Sequence, residues 1–264
     1  MKELFIRSAT GILIIATIGG ALMWGPHSAF ALVAAVYAGS VMEFYRMHRV
    51  SLRKENLLAV GAGALFLLQV YLTLNFRFHW MPLLACAMLL AMPLPWLKEK
   101  NLALQVIFWL AIPMAAMYAL GWTRSFGHWS GSMPLGLMIL LWLNDSLAYL
   151  FGSVLGSHAL APRISPGKTW EGFFGGLLST AALSVLLPSV LGVGNWKLWL
   201  PLAVLTGILG LLGDLHESRL KRRCQVKDSG RLLPGHGGLL DRFDSLFFVS
   251  VPSFLLVMFL SLLP

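Results

Sequence analysis

The stretch MPLGLMILLWLNDSLAYLFGS, residues 133–153, decides the fold. From Leu137 to Leu143 it is apolar on every face, so it reads neither as an amphipathic surface helix nor as a barrel strand, which would alternate apolar and polar residues. A helix over this stretch is long enough to cross the hydrocarbon of a bilayer, which takes about 20 residues. Its one charge is Asp145. A carboxylate at that depth costs about 2.5–3.5 kcal/mol on insertion scales, so it must face a polar cavity or a partner. Helical spacing sets Asp145, Ala148, Tyr149 and Gly152 on one face. Small residues there also suit close helix packing. A buried structural hydrogen bond and a place in a cavity wall are both open to Asp145.

Outward from this stretch the chain repeats the pattern. Of the 264 residues 58% are apolar and 12% charged, against about 25% charged in soluble domains. Mean hydropathy is +0.76. That much apolar surface excludes a soluble globule, and two cysteines, Cys86 and Cys224, exclude a disulfide scaffold. A cleaved signal peptide is not expected, because the first apolar span lacks a small-residue cleavage site. The expectation is an all-α polytopic membrane protein with about nine transmembrane helices, near 8–24, 29–45, 57–74, 81–97, 102–122, 133–153, 173–191, 197–215 and 243–263.

Lys and Arg orient these spans, being retained on the cytoplasmic side. With a cytoplasmic N-terminus, seventeen of the twenty fall inside: Lys2 and Arg7; Arg46, Arg49, Arg53 and Lys54; Lys98 and Lys100; Arg163 and Lys168; and seven from Arg219 to Arg242. Arg77, Arg124 and Lys197 remain outside, and the C-terminus is external. The net charge of +9 is thus topology and calls for no nucleic acid. Trp24, Trp80, Trp96, Trp122, Trp196 and Trp199 fall at span ends, where indole rings anchor at the interface.

The acids are unevenly spread. Glu3, Glu43, Glu55 and Glu99 sit near cytoplasmic ends or in loops and read as solvated or snorkelling side chains. The other seven lie in or beside the last four spans. Asp214 closes the eighth span, while Asp241 and Asp244 open the ninth on one helical face. Three carboxylates meeting at one membrane surface repel unless a cation sits among them, and hard oxygen ligands beside phosphates suggest Mg²⁺. The 216–242 loop carries seven Lys/Arg against Glu217, Asp228 and Asp241. Pro234-Gly235-His236-Gly237-Gly238 supplies backbone N–H groups for an anion. Metal carboxylates with cations and amides for phosphate describe phosphoryl or nucleotidyl transfer. A basic loop touching anionic lipid would explain the cations but leave the acids and glycines unexplained.

A second motif is Ser165-Pro-Gly-Lys-Thr-Trp-Glu-Gly172. Its Gly-Lys-Thr is no Walker A loop, since Pro162 stands where glycine is required and no strand precedes it. It reads as a cytoplasmic loop whose Lys168 meets an anion. His27, His48, His79, His128 and His158 lack ligand-like spacing and read as ordinary loop residues, whereas His216 is ambiguous.

The run Ser218-x-x-Lys221-Arg222…Lys227-Asp228-x-Gly230…Pro234-x-His236-Gly237-Gly238-x-x-Asp241-Arg242-x-Asp244 resembles the signature of the phosphatidate cytidylyltransferase (CDP-diacylglycerol synthase) family. Asn144-Asp145…Ala148-Tyr149 and the Ser165–Gly172 motif also resemble it, so the likeness covers roughly 140–250. It implies CTP and phosphatidate as substrates, CDP-diacylglycerol and pyrophosphate as products, Mg²⁺ with a K⁺ beside it, a homodimer, and a bacterial inner membrane with the active site on the cytoplasmic side. Carried over by position, Asp214, Asp241 and Asp244 hold metal. Lys221, Lys227 and Arg222 neutralise phosphates. Asn144, Asp145, Ser165, Lys168 and Thr169 line the substrate cavity, with Ser218, His236, Gly237, Gly238 and Arg242 contributing to binding. The expected division is a multi-spanning region 1–132 and a catalytic membrane region 133–264, within one integral unit. The family commonly carries lysine where this chain has Ser153, Ser157 and Ala159. The alternative is therefore a paralogue acting on another lipid phosphate or a lipid alcohol.

The chemistry fits the residues without the name. Two polyanionic substrates need charge neutralisation at the α-phosphorus and no covalent nucleophile. A CDP-alcohol phosphotransferase would show Asp-Gly-x-x-Ala-Arg, which is missing here. A transporter would show broken helices in inverted repeats, whereas these acids gather in one half at one surface.

Overall fold

Leu102–Leu120 shows how the sequence bends its helices. In the computed structural model this run begins as α4 (Leu102–Gln105), widens into a π-helical stretch (Val106–Ala111) and continues as α5 (Ile112–Leu120). Pro113 lacks an N–H, and its ring crowds the carbonyl four residues back, so the helix takes up a wider turn there rather than breaking. The structure describes residues 2–50, 54–76, 102–122, 128–233 and 237–262. The expected span at 81–97, with Cys86, Trp80 and Trp96, lies outside the described residues.

Before this run come α1 (Lys2–Trp24), α2 (Pro26–Met47) and α3 (Lys54–Phe76). After it, α6 (Ser132–Leu155) leads into an antiparallel hairpin of β1 (Ala159–Ala161) and β2 (Ser165–Thr169). Then follow α7 (Trp170–Ser184), the short α8 (Leu187–Leu191), α9 (Trp196–Arg223) and α10 (Leu240–Leu262). Among the described residues four helices are long and apolar enough to cross a bilayer: Pro26–Met47, Ser132–Leu155, Trp196–Arg223 and Leu240–Ser261. The stretches Ser8–Trp24 within α1, Val60–Asn75 within α3 and Val106–Leu120 are apolar as well. The described chain is an all-α membrane architecture apart from the one hairpin.

Several boundaries differ from the sequence reading. The stretch expected as one span at 173–191 is two helices, because Pro188 crowds the Ser184 carbonyl and ends α7 there. α9 runs two turns past the expected end at 215, about 42 Å at 1.5 Å per residue, and so stands out of a hydrocarbon layer about 30 Å thick. The loop after α6 is not irregular: Ala159 pairs with Thr169 and Ala161 with Ser165. The tryptophans divide. Trp24 is 89% exposed and Trp196 53%, as interface anchors should be, but Trp122 and Trp199 are buried and belong to the core. Trp199 donates its indole N–H to the Val193 carbonyl at 2.8 Å and fills the space left by Gly136, where a Cβ would stand 2.1 Å from the ring.

The core lies between α2, α5, α6, α9 and α10, where Tyr45, Tyr118, Leu140, Trp199 and Phe254 are fully enclosed. Outward faces keep large apolar side chains such as Ile12, Leu178, Val204 and Phe259 exposed, which in lipid carries no penalty.

Candidate active site

α6 and α7 approach until their backbones touch. A Cβ on Gly172 would stand 2.6 Å from the Ala148 carbonyl oxygen, and one on Gly176 would stand 2.8 Å from the Ala148 Cβ. Small residues four apart make this seam. Thr169 caps α7 by accepting the Gly172 N–H at 3.2 Å, and Glu171 in the first turn suits the positive helix end. The His158 ring, 2.5 Å from the Glu171 carboxylate, ties the start of the hairpin to α7. That hydrogen bond, with backbone donors beside it, holds Glu171 down to about 2 from an ordinary 4.5. His158 is thus a partner in a built contact rather than an ordinary loop residue.

α9 and α10 meet as closely. A Cβ on Gly213 would lie 2.9 Å from the Asp244 carbonyl oxygen, and the Ser245 hydroxyl donates to the Gly210 carbonyl at 3.1 Å. This brings Asp214 beside Asp244, across from the α6–α7 seam.

The two seams enclose a cavity of about 380 Å³. α6 contributes Asn144, Asp145, Ala148, Tyr149, Gly152 and Ser153 to its wall, and the hairpin contributes Lys168 and Thr169. Asp214 comes from α9, and Asp241, Arg242 and Asp244 come from α10. Leu160, Phe173 and Leu211 give it an apolar side. The four residues that helical spacing set on one face of α6 all line it.

The charges are already arranged. Lys168 pairs with Asp214, whose other oxygen accepts from the Ser218 hydroxyl at 3.2 Å. Asp241 accepts from Lys221 at 2.7 Å, from the Ser229 N–H at 3.0 Å and from the Gly238 N–H at 2.9 Å. Lys221 also meets the buried Glu217 at 2.5 Å. Asp244 accepts the Ser245 N–H at 2.6 Å. Among the described residues no three acids, histidines or cysteines already close around one metal position. The carboxylates that line the cavity are Asp145, Asp214, Asp241 and Asp244. The Asn144 side-chain oxygen is buried without a hydrogen-bond partner among the described residues.

The model of the cytidylyltransferase family matches residues 5–260. The chain belongs to the cytidylyltransferase family. Among curated proteins, the phosphatidate cytidylyltransferase of Staphylococcus epidermidis is 52% identical over 116 residues, which are 42% of this chain and 43% of that protein. The proteins of the same name in Staphylococcus haemolyticus and Staphylococcus aureus are each 50% identical over 113 residues, with the same shares covered. The aligned part is thus under half the length of these relatives.

Within this member of the family the residues expected at the site separate into two groups. Asn144, Asp145, Lys168, Thr169, Asp214, Asp241, Arg242 and Asp244 share the cavity. Ser165 instead opens β2, and Ser218 and Lys221 bond to Asp214 and Asp241. Arg222 and Lys227 are exposed and stand outside the cavity wall. Gly237 turns the chain at φ 85° ahead of the buried Gly238, and His236 lies outside the described residues.

The sequence reading missed Glu43. It is not solvated or snorkelling: it is fully buried, and one of its carboxylate oxygens accepts the Leu240 N–H at 2.8 Å and the Ser229 hydroxyl at 3.2 Å. Its signal was an acid inside an apolar run, the same signal that singled out Asp145. His216, ambiguous from sequence, stacks on Trp109 with ring centres 4.3 Å apart.

Proposed function

We propose that this protein transfers CMP from CTP to phosphatidate, giving CDP-diacylglycerol and pyrophosphate. The observation that carries this reading is the cavity itself: four carboxylates, Lys168 and Arg242 share it with an apolar side. A family of cytidylyltransferases and relatives about 50% identical support it. In the reaction an oxygen of the lipid phosphate attacks the α-phosphorus of CTP, and the bond from that phosphorus to the β-bridging oxygen breaks as pyrophosphate leaves. Lys168 and Arg242 neutralise phosphate oxygens, so that two polyanions approach within bonding distance. Asn144 offers an oriented amide within the same wall, and Leu160, Phe173 and Leu211 form the side against which the lipid lies.

The donor set fits Mg²⁺. This ion is usually held by one or two carboxylates plus substrate phosphates and retained waters, which suits oxygens that do not form a closed cage by themselves. Asp214, Asp241 and Asp244 would hold it, with Asp145 beside them and K⁺ as a second ion; when bound it would supply charge stabilisation for the leaving pyrophosphate. Lys168 and Lys221 each pair with one of these carboxylates, Asp214 and Asp241.

The setting we propose is a bacterial inner membrane, nine spans, a cytoplasmic N-terminus, an external C-terminus, the cavity on the cytoplasmic side, and a homodimer as the assembly. Reporter fusions after Leu263 and within 98–101 should lie on opposite sides; the same side for both contradicts nine spans.

One observation favours a second reading. Ser153 lines the cavity where the family commonly has lysine, so one cation is missing from the wall itself and the acceptor would be another lipid phosphate or a lipid alcohol. A screen decides between them. The purified protein is given Mg²⁺, each of the four NTPs and a panel of lipid phosphates and alcohols, and pyrophosphate release is followed. Release with CTP and phosphatidate is expected; release with a different nucleotide or acceptor alone overturns the proposal.

A further inference from the structure

α10 begins without a cap of its own. Its first residue is Leu240, and the residue before it, Leu239, has no side-chain acceptor for the orphan N–H groups of a helix start. The acceptor comes from α2, about two hundred residues earlier in the chain. One Glu43 oxygen takes the Leu240 N–H at 2.8 Å and the Ser229 hydroxyl at 3.2 Å. A negative charge at that position also suits the positive end of the helix.

The seat around Glu43 is built for this loop. Gly39, one turn earlier on α2, lets the Leu239 side chain lie where a Cβ would be 2.5 Å away. A Cβ on Gly230 would stand 2.1 Å from one Glu43 oxygen, and one on Gly238 would stand 2.6 Å from the other. Both glycines are therefore needed for the carboxylate to enter. The Asp241 carboxylate fastens the same two points of chain from the other side, through the Ser229 and Gly238 N–H groups. Glu43 and Asp241 thus pinch the base of the 229–240 loop between them.

A fully buried carboxylate is costly unless it is bonded, and helix-start N–H groups are costly unless they are accepted. Here the Glu43 Oε2 atom and the Leu240 N–H satisfy each other, from α2 to α10, while Glu43 Oε1 is buried with no hydrogen-bond partner among the described residues. We infer that Glu43 is a positioning residue of the transfer site: from the N-terminal region it fixes the start of α10, and with it Asp241, Arg242 and Asp244. What those residues then do rests on the transfer reading above; the contacts do not.

The test combines hydrogen–deuterium exchange over 229–244 with kinetics of CMP transfer, on the purified chain as wild type, Glu43→Gln, Glu43→Ala and Ser229→Ala. Losing hydrogen bonds to a buried charge should speed exchange of this segment in Glu43→Ala by about 10- to 100-fold. The 148–176 segment should exchange as in wild type. The kcat should fall by a similar factor while the KM for CTP stays within about threefold, because the misplaced groups act on the reacting phosphates. Glu43→Gln keeps a carbonyl oxygen for both donors and should recover most of the loss. Should Glu43→Ala fail to fold, Ser229→Ala removes one donor alone and should speed exchange about 3- to 10-fold. Wild-type exchange in Glu43→Ala, or in Ser229→Ala where that variant carries the test, overturns the inference. Fast exchange with unchanged kcat overturns it too. If the wild type transfers no CMP, the transfer reading falls, and the exchange data still decide whether Glu43 fixes this loop.

Discussion

The α2 face around Glu43 and the α6 face around Asp145 each place a single carboxylate in an apolar helix, with opposite outcomes. Glu43 is fully buried and bonded to a backbone N–H and a hydroxyl, so it is part of the scaffold. Asp145 faces a cavity shared with Lys168, Asp214, Arg242 and Asp244. An acid within a membrane helix is expensive in both places. What separates structure from chemistry is whether neighbouring chain fills the space in front of the carboxylate or leaves it open.

Asp241 and Asp244 divide along the same line and offer the largest effect. Asp244→Asn should lower kcat by about 100-fold or more with the protein still folded, because it removes charge stabilisation at the reacting phosphates. Asp241→Asn should lose as much turnover and in addition about 1–3 kcal/mol of stability, since two N–H donors and Lys221 lean on that carboxylate. Thermal unfolding of both variants checks this. Equal melting temperatures for the two would erase the distinction between an open and a closed carboxylate.

Lys168→Ala comes next. Loss of a charge-assisted contact to phosphate removes about 1.5–3 kcal/mol, or roughly 10- to 150-fold in kcat/KM, seen mainly as a higher KM for one substrate. The cavity wall shows where rescue should be sought. Ser157 is exposed, with its hydroxyl on the Leu155 carbonyl, whereas Ser153 lines the cavity. Ser153→Lys should therefore restore part of the lost affinity and Ser157→Lys should not, as steady-state kinetics of the two double mutants would show.

The smallest effect is at the hairpin. His158 holds Glu171 near 2, below its ordinary 4.5, so the contribution of this pair is complete above 4.5 and disappears as pH falls through about 2. At the solvent edge it is also screened by salt. Wild type and Glu171→Gln should melt slightly apart at about pH 6 and together at about pH 2. A constant difference across that range would mean that the pair holds the hairpin by shape and not by charge.

Much of this was legible in the sequence. The apolar runs gave the helices, and the spacing of Asp145, Ala148, Tyr149 and Gly152 gave one wall of the cavity. Asp214, Asp241 and Asp244 were readable because they bracket a polar loop between two spans. Helix ends were less so, since Pro113 widens a helix and Pro188 ends one, a choice made by packing. Glu43 was misread because its partners lie about two hundred residues away. No local pattern states that Leu240 lacks a cap or that Gly230 and Gly238 leave room for a carboxylate. Trp199 was misread for the same reason: a tryptophan at a span end looks like an anchor until Gly136 makes a hole for it.

The central claim is that this cavity joins the α-phosphorus of CTP to a lipid phosphate. The most direct measurement supplies phosphatidate, Mg²⁺ and CTP labelled with ³²P at either the α or the γ position, then separates lipid from aqueous products. The account predicts that α label enters the lipid fraction and γ label leaves as pyrophosphate, in equal amounts. Label from the γ position in the lipid would mean a lipid kinase and would contradict it.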